Sequence, residues 1–199
     1  MMSTKELPGN SSFLSFFGVL SVVPVTIQLP DLDSQTEFNL ARWEQVLADT
    51  TLATLSYRIE TDQHGHILMS PPPAPLHGQR QIQIGVLFHQ LLPAGRIVSE
   101  CPLSTAGGVK AIDVAWLAPG RPENISQLIL FERAPEICVE IVSPSNSRSE
   151  ITEMRALYFD AGAVEIWVCA LDGSISFFTS PHQQLPASSI CPPFPVRIL

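Results

Sequence analysis

Two acidic residues stand where acids are costly. In "APEICVEIVSPS", residues 134–145, Glu140 is set among Ile137, Cys138, Val139, Ile141 and Val142. In "VKAIDVAWLAPG", Asp113 lies among Ala111, Ile112, Val114, Ala115 and Trp116. The first run lacks alternation and reads as a strand covered on both faces, central in an α/β sheet; the second is a similar apolar strand. A carboxylate in such a place must be paired, protonated or bound to a metal. "SPS" stops the first strand and sets Glu140 near its C-terminal end, where open α/β sheets bind ligands. If the two strands are neighbours, both carboxylates converge on one hard cation. Magnesium suits such a pair: it takes oxygen ligands, keeps several waters, and often uses one or two carboxylates plus substrate phosphate. It polarises a phosphodiester and lowers the pKa of a bound water. Blander readings stay open: an ion pair or a water-reaching strand end for Glu140, a turn cap for Asp113.

The elements that must position these acids follow from pattern. "SQTEFNLARWEQVLADT" carries Phe38, Trp43, Val46 and Leu47 at helical spacing, with Ser34 or Thr36 as N-cap. "LSYRIETD" and "HILMS" are short strands joined by the turn "QHGH". Residues 78–92 read as a helix with Ile82, Val86 and Leu91 inward and Gly95 just past its end. "GRIVSECPL" and "VKAIDVAWL" form a hairpin across "STAGG". Past Glu140, Ser147 and Glu150 make a capping box for a helix that Gly162 ends. "VEIWVCAL" is a further buried strand, turned by Asp172-Gly173 into "SISFFTS". Strand 135–143, helix 147–161 and strand 164–171 form a right-handed β-α-β unit with parallel strands. The expected fold is α/β (α+β): a mixed central β-sheet flanked by helices.

Composition narrows the class. A chain of 199 residues with 45% hydrophobic and 15% charged residues is globular and fits one domain, expected over residues 24–199 behind an N-terminal extension, residues 1–23. A net charge of −8 argues against coating nucleic acid through bulk basicity. Cys101, Cys138, Cys169 and Cys191 form no C-x-x-C pair, which disfavours a structural zinc site and makes a reducing cytoplasm the simplest compartment. The apolar run in "SSFLSFFGVLSVVPV" is too short to span a bilayer and lacks a cleavage pattern, so no membrane association is expected.

The order of blocks resembles the PD-(D/E)XK nuclease fold, and in particular the Uma-type restriction endonucleases. The matching pieces are "YRIETDQHGHILMSPPPAPLHG", "AIDVAWL", "ICVEIVSPSNS", "EMRALYFDAGAVEIWVC" and "DGSISFF", within residues 24–180. The resemblance implies a restriction-endonuclease-like core, DNA as substrate, Mg2+ (or Mn2+) as cofactor, and Asp113 and Glu140 as the metal-binding acids. Glu60, in "YRIE", matches an acid near the start of the core that reaches the same site, although an exposed strand-end glutamate is the commoner case. His77 matches a polar position that opens the next helix, where a capping or solvent-facing role is expected. Nucleases that cut both strands commonly pair, which leaves a homodimer open.

The chain departs from this pattern. Val142 stands where the fold's name puts lysine, and the helix position that supplies lysine instead is Met154. Lysine's ammonium orients attacking water or stabilises phosphorane charge; a thioether does neither. Arg155 is rotated about 100° from Met154 on a helix, and strand alternation points Lys110 away from Asp113. Two functions follow: a magnesium-dependent DNA endonuclease, impaired by Met154, or an inactive nuclease-fold module that binds DNA or a protein partner.

Overall fold

The computed structural model describes residues 32–142 and 146–199. The expected extension at 1–23 and the strand exit "SPS" at 143–145 lie outside those residues. Helix α1 (Leu32–Ala48) is followed by a hairpin of β1 (Arg58–Thr61) and β2 (Ile67–Ser70), then by α2 (Pro75–Leu91). The main sheet comprises β3 (Arg96–Thr105), β4 (Gly108–Leu117), β5 (Ile137–Val142), β6 (Glu165–Ala170), β7 (Ile175–Phe178) and β8 (Gln184–Leu185), hydrogen-bonded in that order. Helix α3 (Arg148–Asp160) joins β5 to β6. That pair is parallel and the other neighbours in this sheet are antiparallel, giving the expected mixed sheet and β-α-β unit.

The local signals work as chemistry demands. Ser147 Oγ accepts from Glu150 N at 3.2 Å while Glu150 Oε2 accepts from Ser147 N at 2.7 Å, closing the capping box of α3. Gly108 follows the β3–β4 turn at φ +95°, and a Cβ there would lie 2.4 Å from Asp62 O, so only glycine lets the β1–β2 hairpin dock on β4.

Two cores sandwich the sheet. On one face Ile84 and Phe88 of α2 pack with Val114, Trp116, Ile137, Val139, Ile141, Trp167 and Phe177. On the other, Tyr158 and Ala161 pack with Cys101, Leu103, Ile112, Ala115, Cys138 and Ile166. The inward face of α2 therefore differs from the expected one. Ile82 is 71% and Val86 49% exposed, Leu91 is partly buried, and the buried positions are Arg80, Ile84 and Phe88. The i, i+4, i+8 row through Arg80 prevails because its guanidinium donates to Leu171 O and Ile198 O, tying α2 to the C-terminal segment. In α1, Trp43 and Val46 are buried whereas Phe38 and Leu47 face solvent. That helix starts at Leu32, so Ser34 and Thr36 lie within it and not at its cap. It is anchored through Asn39, whose Nδ2 donates to Ser104 Oγ and Thr105 O, both at 2.9 Å. All four cysteines are free and buried. Among the described residues, no helix is long and apolar enough to cross a membrane.

Glu165 opens β6 fully buried. Its carboxylate accepts from Trp167 Nε1 (2.8 Å), Ser188 Oγ (2.6 Å), Ser189 N (2.6 Å), Ser189 Oγ and Ile190 N (3.0 Å). Burial alone would raise its pKa; these donors reverse that and hold it below the ordinary value. The carboxylate thereby pins the C-terminal segment to the sheet, with Phe194 of that segment against Trp167 at 4.5 Å between ring centroids. Glu165→Ala orphans several buried donors and is expected to cost about 3 kcal/mol in urea unfolding at neutral pH. Because the folded pKa is depressed, wild-type stability is complete above the unfolded glutamate value of about 4.3 and declines as pH falls through the folded value. The alanine variant should lose that component of acid sensitivity.

Candidate metal and phosphodiester site

Strands β4 and β5 separate at the site. Their ladder runs Trp116↔Ile137, Ala115↔Cys138 and Val114↔Val139 and ends there. One step further along the same register, Asp113 faces Glu140. Past that point side chains take the backbone donors: Asp113 Oδ2 accepts from Ile141 N at 2.7 Å, Glu60 Oε1 from Ala111 N at 3.1 Å, and Thr61 Oγ1 from Val109 N at 2.9 Å. The acids thus fill a fork that would otherwise leave N–H groups unsatisfied. On the other flank, the β3–β4 pairs Ser99↔Val114 and Cys101↔Ile112 bracket Glu100, which lies in the left-handed region at φ +49°. Glu100, Asp113 and Glu140 consequently occupy corresponding positions on three adjacent strands, and Glu60 approaches from β1.

Arg58 stands among them. Arg58 Nη1 donates to Asp113 Oδ1 at 2.6 Å, and its Nε lies 3.6 Å from Glu60 Oε1 and 3.8 Å from Glu100 Oε2. Burial by itself would lower the Arg58 pKa; the negative field of Glu140, Asp113, Glu60 and Glu100 raises it instead. Asp113 is 1% exposed, yet its pKa is lowered, since the hydrogen bond from His77, the charge of Arg58 and the Ile141 N–H outweigh burial. Glu140 goes the other way. Burial, then the nearby Asp113 charge, push its pKa well up, against the opposing pull of Arg58 and of Tyr158, whose hydroxyl donates to Glu140 Oε1 at 2.8 Å. The two neighbouring acids are thus shifted in opposite directions: the surroundings of Asp113 favour its carboxylate, and burial of Glu140 beside that charge favours its protonated form.

The structure brings Asp113, Glu140 and Glu60 around one guanidinium. His77, expected as a cap or a surface residue, lies in the first turn of α2 with Nε2 3.1 Å from Asp113 Oδ2; against an ionised carboxylate that nitrogen is the donor. Lys110, expected to point away from Asp113, reaches Glu60, with Nζ 3.8 Å from Oε2 and donating to Thr61 O at 3.0 Å. The docked β1 strand brings Glu60 to Lys110. Met154 is partly buried and packs in the α3-side core. Arg155 lies 3.8 Å over the Phe178 ring and donates to Thr152 Oγ1, so its charge is spent elsewhere. Four contributors escaped the sequence reading as site residues: Arg58, Glu100, Gln81 and Tyr158. Gln81 Nε2 donates to Glu100 Oε1 at 2.6 Å and to Asp113 O at 3.3 Å. Arg58 sits inside "YRIE", two residues before Glu60, a signal only in hindsight.

Among the described residues, no group of three or more His, Cys, Asp or Glu side chains is arranged to hold a metal ion. The hard oxygens of Asp113 and Glu140 nonetheless suit magnesium, which needs one or two carboxylates and fills its shell with water and phosphate oxygen. The family model described as "Uma2: Putative restriction endonuclease" matches residues 43–196. The chain belongs to the Uma2 family. The crystal structure of a protein described as a putative nuclease belonging to DUF820, from Anabaena variabilis ATCC 29413, superposes with a TM-score of 0.56 at 17% identity, covering 67% of this chain and 83% of that one. At that identity the likeness establishes the shared fold, the restriction-endonuclease-like architecture expected of an Uma2 chain. No curated protein matches.

Opposite protonation preferences make the two acids separable by isosteric change. Glu140→Gln replaces an acid whose burial favours the neutral form with a neutral amide that still accepts from Tyr158, and should cost no more than about 1 kcal/mol at neutral pH. Asp113→Asn turns an acceptor into a donor toward Arg58, His77 or Ile141 N, and should cost about 3 kcal/mol. Glu140's raised folded pKa means that wild-type stability is lost as pH rises from about 4.3 through the folded value, and Glu140→Gln should abolish that decline. Urea unfolding across pH checks both; equal losses would contradict the assignment.

Proposed function

We propose that the protein is a magnesium-dependent endonuclease that hydrolyses DNA phosphodiester bonds on a single domain over residues 24–199. Asp113 and Glu140 hold Mg2+ (or Mn2+), and Glu60 assists from β1. The observation that carries this reading is the register: Asp113 faces Glu140 where β4 and β5 part, in a chain of a family described as restriction endonucleases. When bound, the ion polarises the phosphodiester and lowers the pKa of a coordinated water. The protein's part is orientation. Ile141 N–H and His77 fix Asp113, Tyr158 fixes Glu140, and the Ala111 N–H fixes Glu60. With a net charge of −8, DNA is engaged locally and not by long-range attraction.

Met154 sets the rate. It lies one turn before Tyr158, whose hydroxyl meets Glu140, so position 154 lies on the helix face that addresses the site. A methionine there supplies no ammonium for the developing phosphorane charge, and cleavage is correspondingly slow. The same observation favours a second reading, an inactive nuclease-fold module that retains binding to DNA or a protein partner.

Cleavage of plasmid and oligonucleotide DNA with Mg2+ or Mn2+ separates the two. The endonuclease reading expects weak metal-dependent cleavage that Asp113→Ala abolishes, and a gain of at least about tenfold in Met154→Lys. Equal residual activity in wild type and Asp113→Ala rejects the metal assignment. Inactivity of both wild type and Met154→Lys, with DNA binding retained, selects the module.

A further inference from the structure

Asp113, Glu140, Glu60 and Glu100 surround a single arginine, with Lys110 touching only the Glu60 rim. If all four acids are ionised, two cations leave two negative charges of the cluster uncompensated. Such a cluster must hold a counter-charge to fold, and in the metal-free protein Arg58 supplies it. We propose that Arg58 is a built-in competitor for the divalent cation: its guanidinium stands in for the ion among these acids and must leave before an ion can bind Asp113 and Glu140. This inference rests on the metal reading given above.

Three features make Arg58 an exchangeable occupant and not a permanent partner. It takes Asp113 Oδ1, whereas Asp113 Oδ2 is committed to His77 and the Ile141 backbone; exchange therefore frees one oxygen without unfastening the carboxylate. Its hold is uneven. The Nη1 bond is short, but Nε makes no hydrogen bond, and its nearest carboxylate oxygens lie at 3.6 and 3.8 Å. Its side chain also retains 21% exposure, against 1% for Asp113, so a path to solvent exists on the side of Glu100, which is 47% exposed. Arginine cannot give up its charge by deprotonation, so movement is the route by which it yields. Arg58 and a divalent ion then exclude one another, and removing either strengthens the hold of the other.

The test is Mn2+ binding to the full chain, by titration calorimetry and by the paramagnetic resonance of free Mn2+. Arg58→Gln should bind at least about tenfold more tightly than wild type, within the range typical of coupled sites. The gain should vanish when Asp113→Asn is added. In EDTA, Arg58→Gln should melt below wild type, and saturating Mn2+ should raise its midpoint more than it raises that of wild type. Should Arg58→Gln fail to fold, Arg58→Lys keeps a charge for folding but loses the planar fork, and should bind Mn2+ at least about threefold more tightly than wild type. Equal Mn2+ affinity in wild type and a folded Arg58 variant overturns the inference and leaves the two-acid metal site standing. Absence of Mn2+ binding in wild type and every folded variant overturns both.

Discussion

The site depends on the parting of two strands. While β4 and β5 are paired, from Trp116↔Ile137 to Val114↔Val139, the backbone satisfies itself. Beyond that point the N–H groups of Ile141 and Ala111 require other acceptors, and carboxylates provide them. A buried acid at such a fork has a structural occupation, receiving a backbone donor, and a remaining oxygen with a functional one. That division explains why the pKa of Asp113 is lowered at 1% exposure while that of Glu140, which faces it and accepts from Tyr158, is raised.

Much of this was legible in the chain. The capping box at Ser147 and Glu150, the β-α-β unit and the mixed sheet follow from patterns strong enough to survive tertiary context. Two acids in apolar strands were visible because they violate burial rules. Yet "VEIWVCAL" contains the same violation, and Glu165 is a latch for the C-terminal segment, held by Trp167, Ser188, Ser189 and Ile190. Sequence alone does not distinguish an acid satisfied by five neutral donors from one beside another acid, because four of those donors, like the second acid, lie more than twenty positions away.

The misses share a cause. Helix α2 offers two apolar faces; Ile82 and Val86 lost to the row of Ile84 and Phe88 because Arg80 anchors that row through carbonyls near the C-terminus. Arg58, His77 and Gln81 are ordinary polar residues until the β1 hairpin and the first turns of α2 converge on Asp113. Glu100 becomes informative only through its left-handed backbone and its place in the β3–β4 register. Met154 presents the reverse case: its absence of charge was plain, and its place one turn from Tyr158 gives that absence a location.

In the proposed exchange, Asp113 and Glu140 would share one cation position that Arg58 otherwise fills. Anomalous diffraction from crystals equilibrated with Mn2+ tests it most directly. A manganese peak beside Asp113 and Glu140 is expected, with the Arg58 guanidinium withdrawn from Asp113 Oδ1. A peak elsewhere, or Arg58 still seated against Asp113 with manganese bound between the two acids, would contradict it.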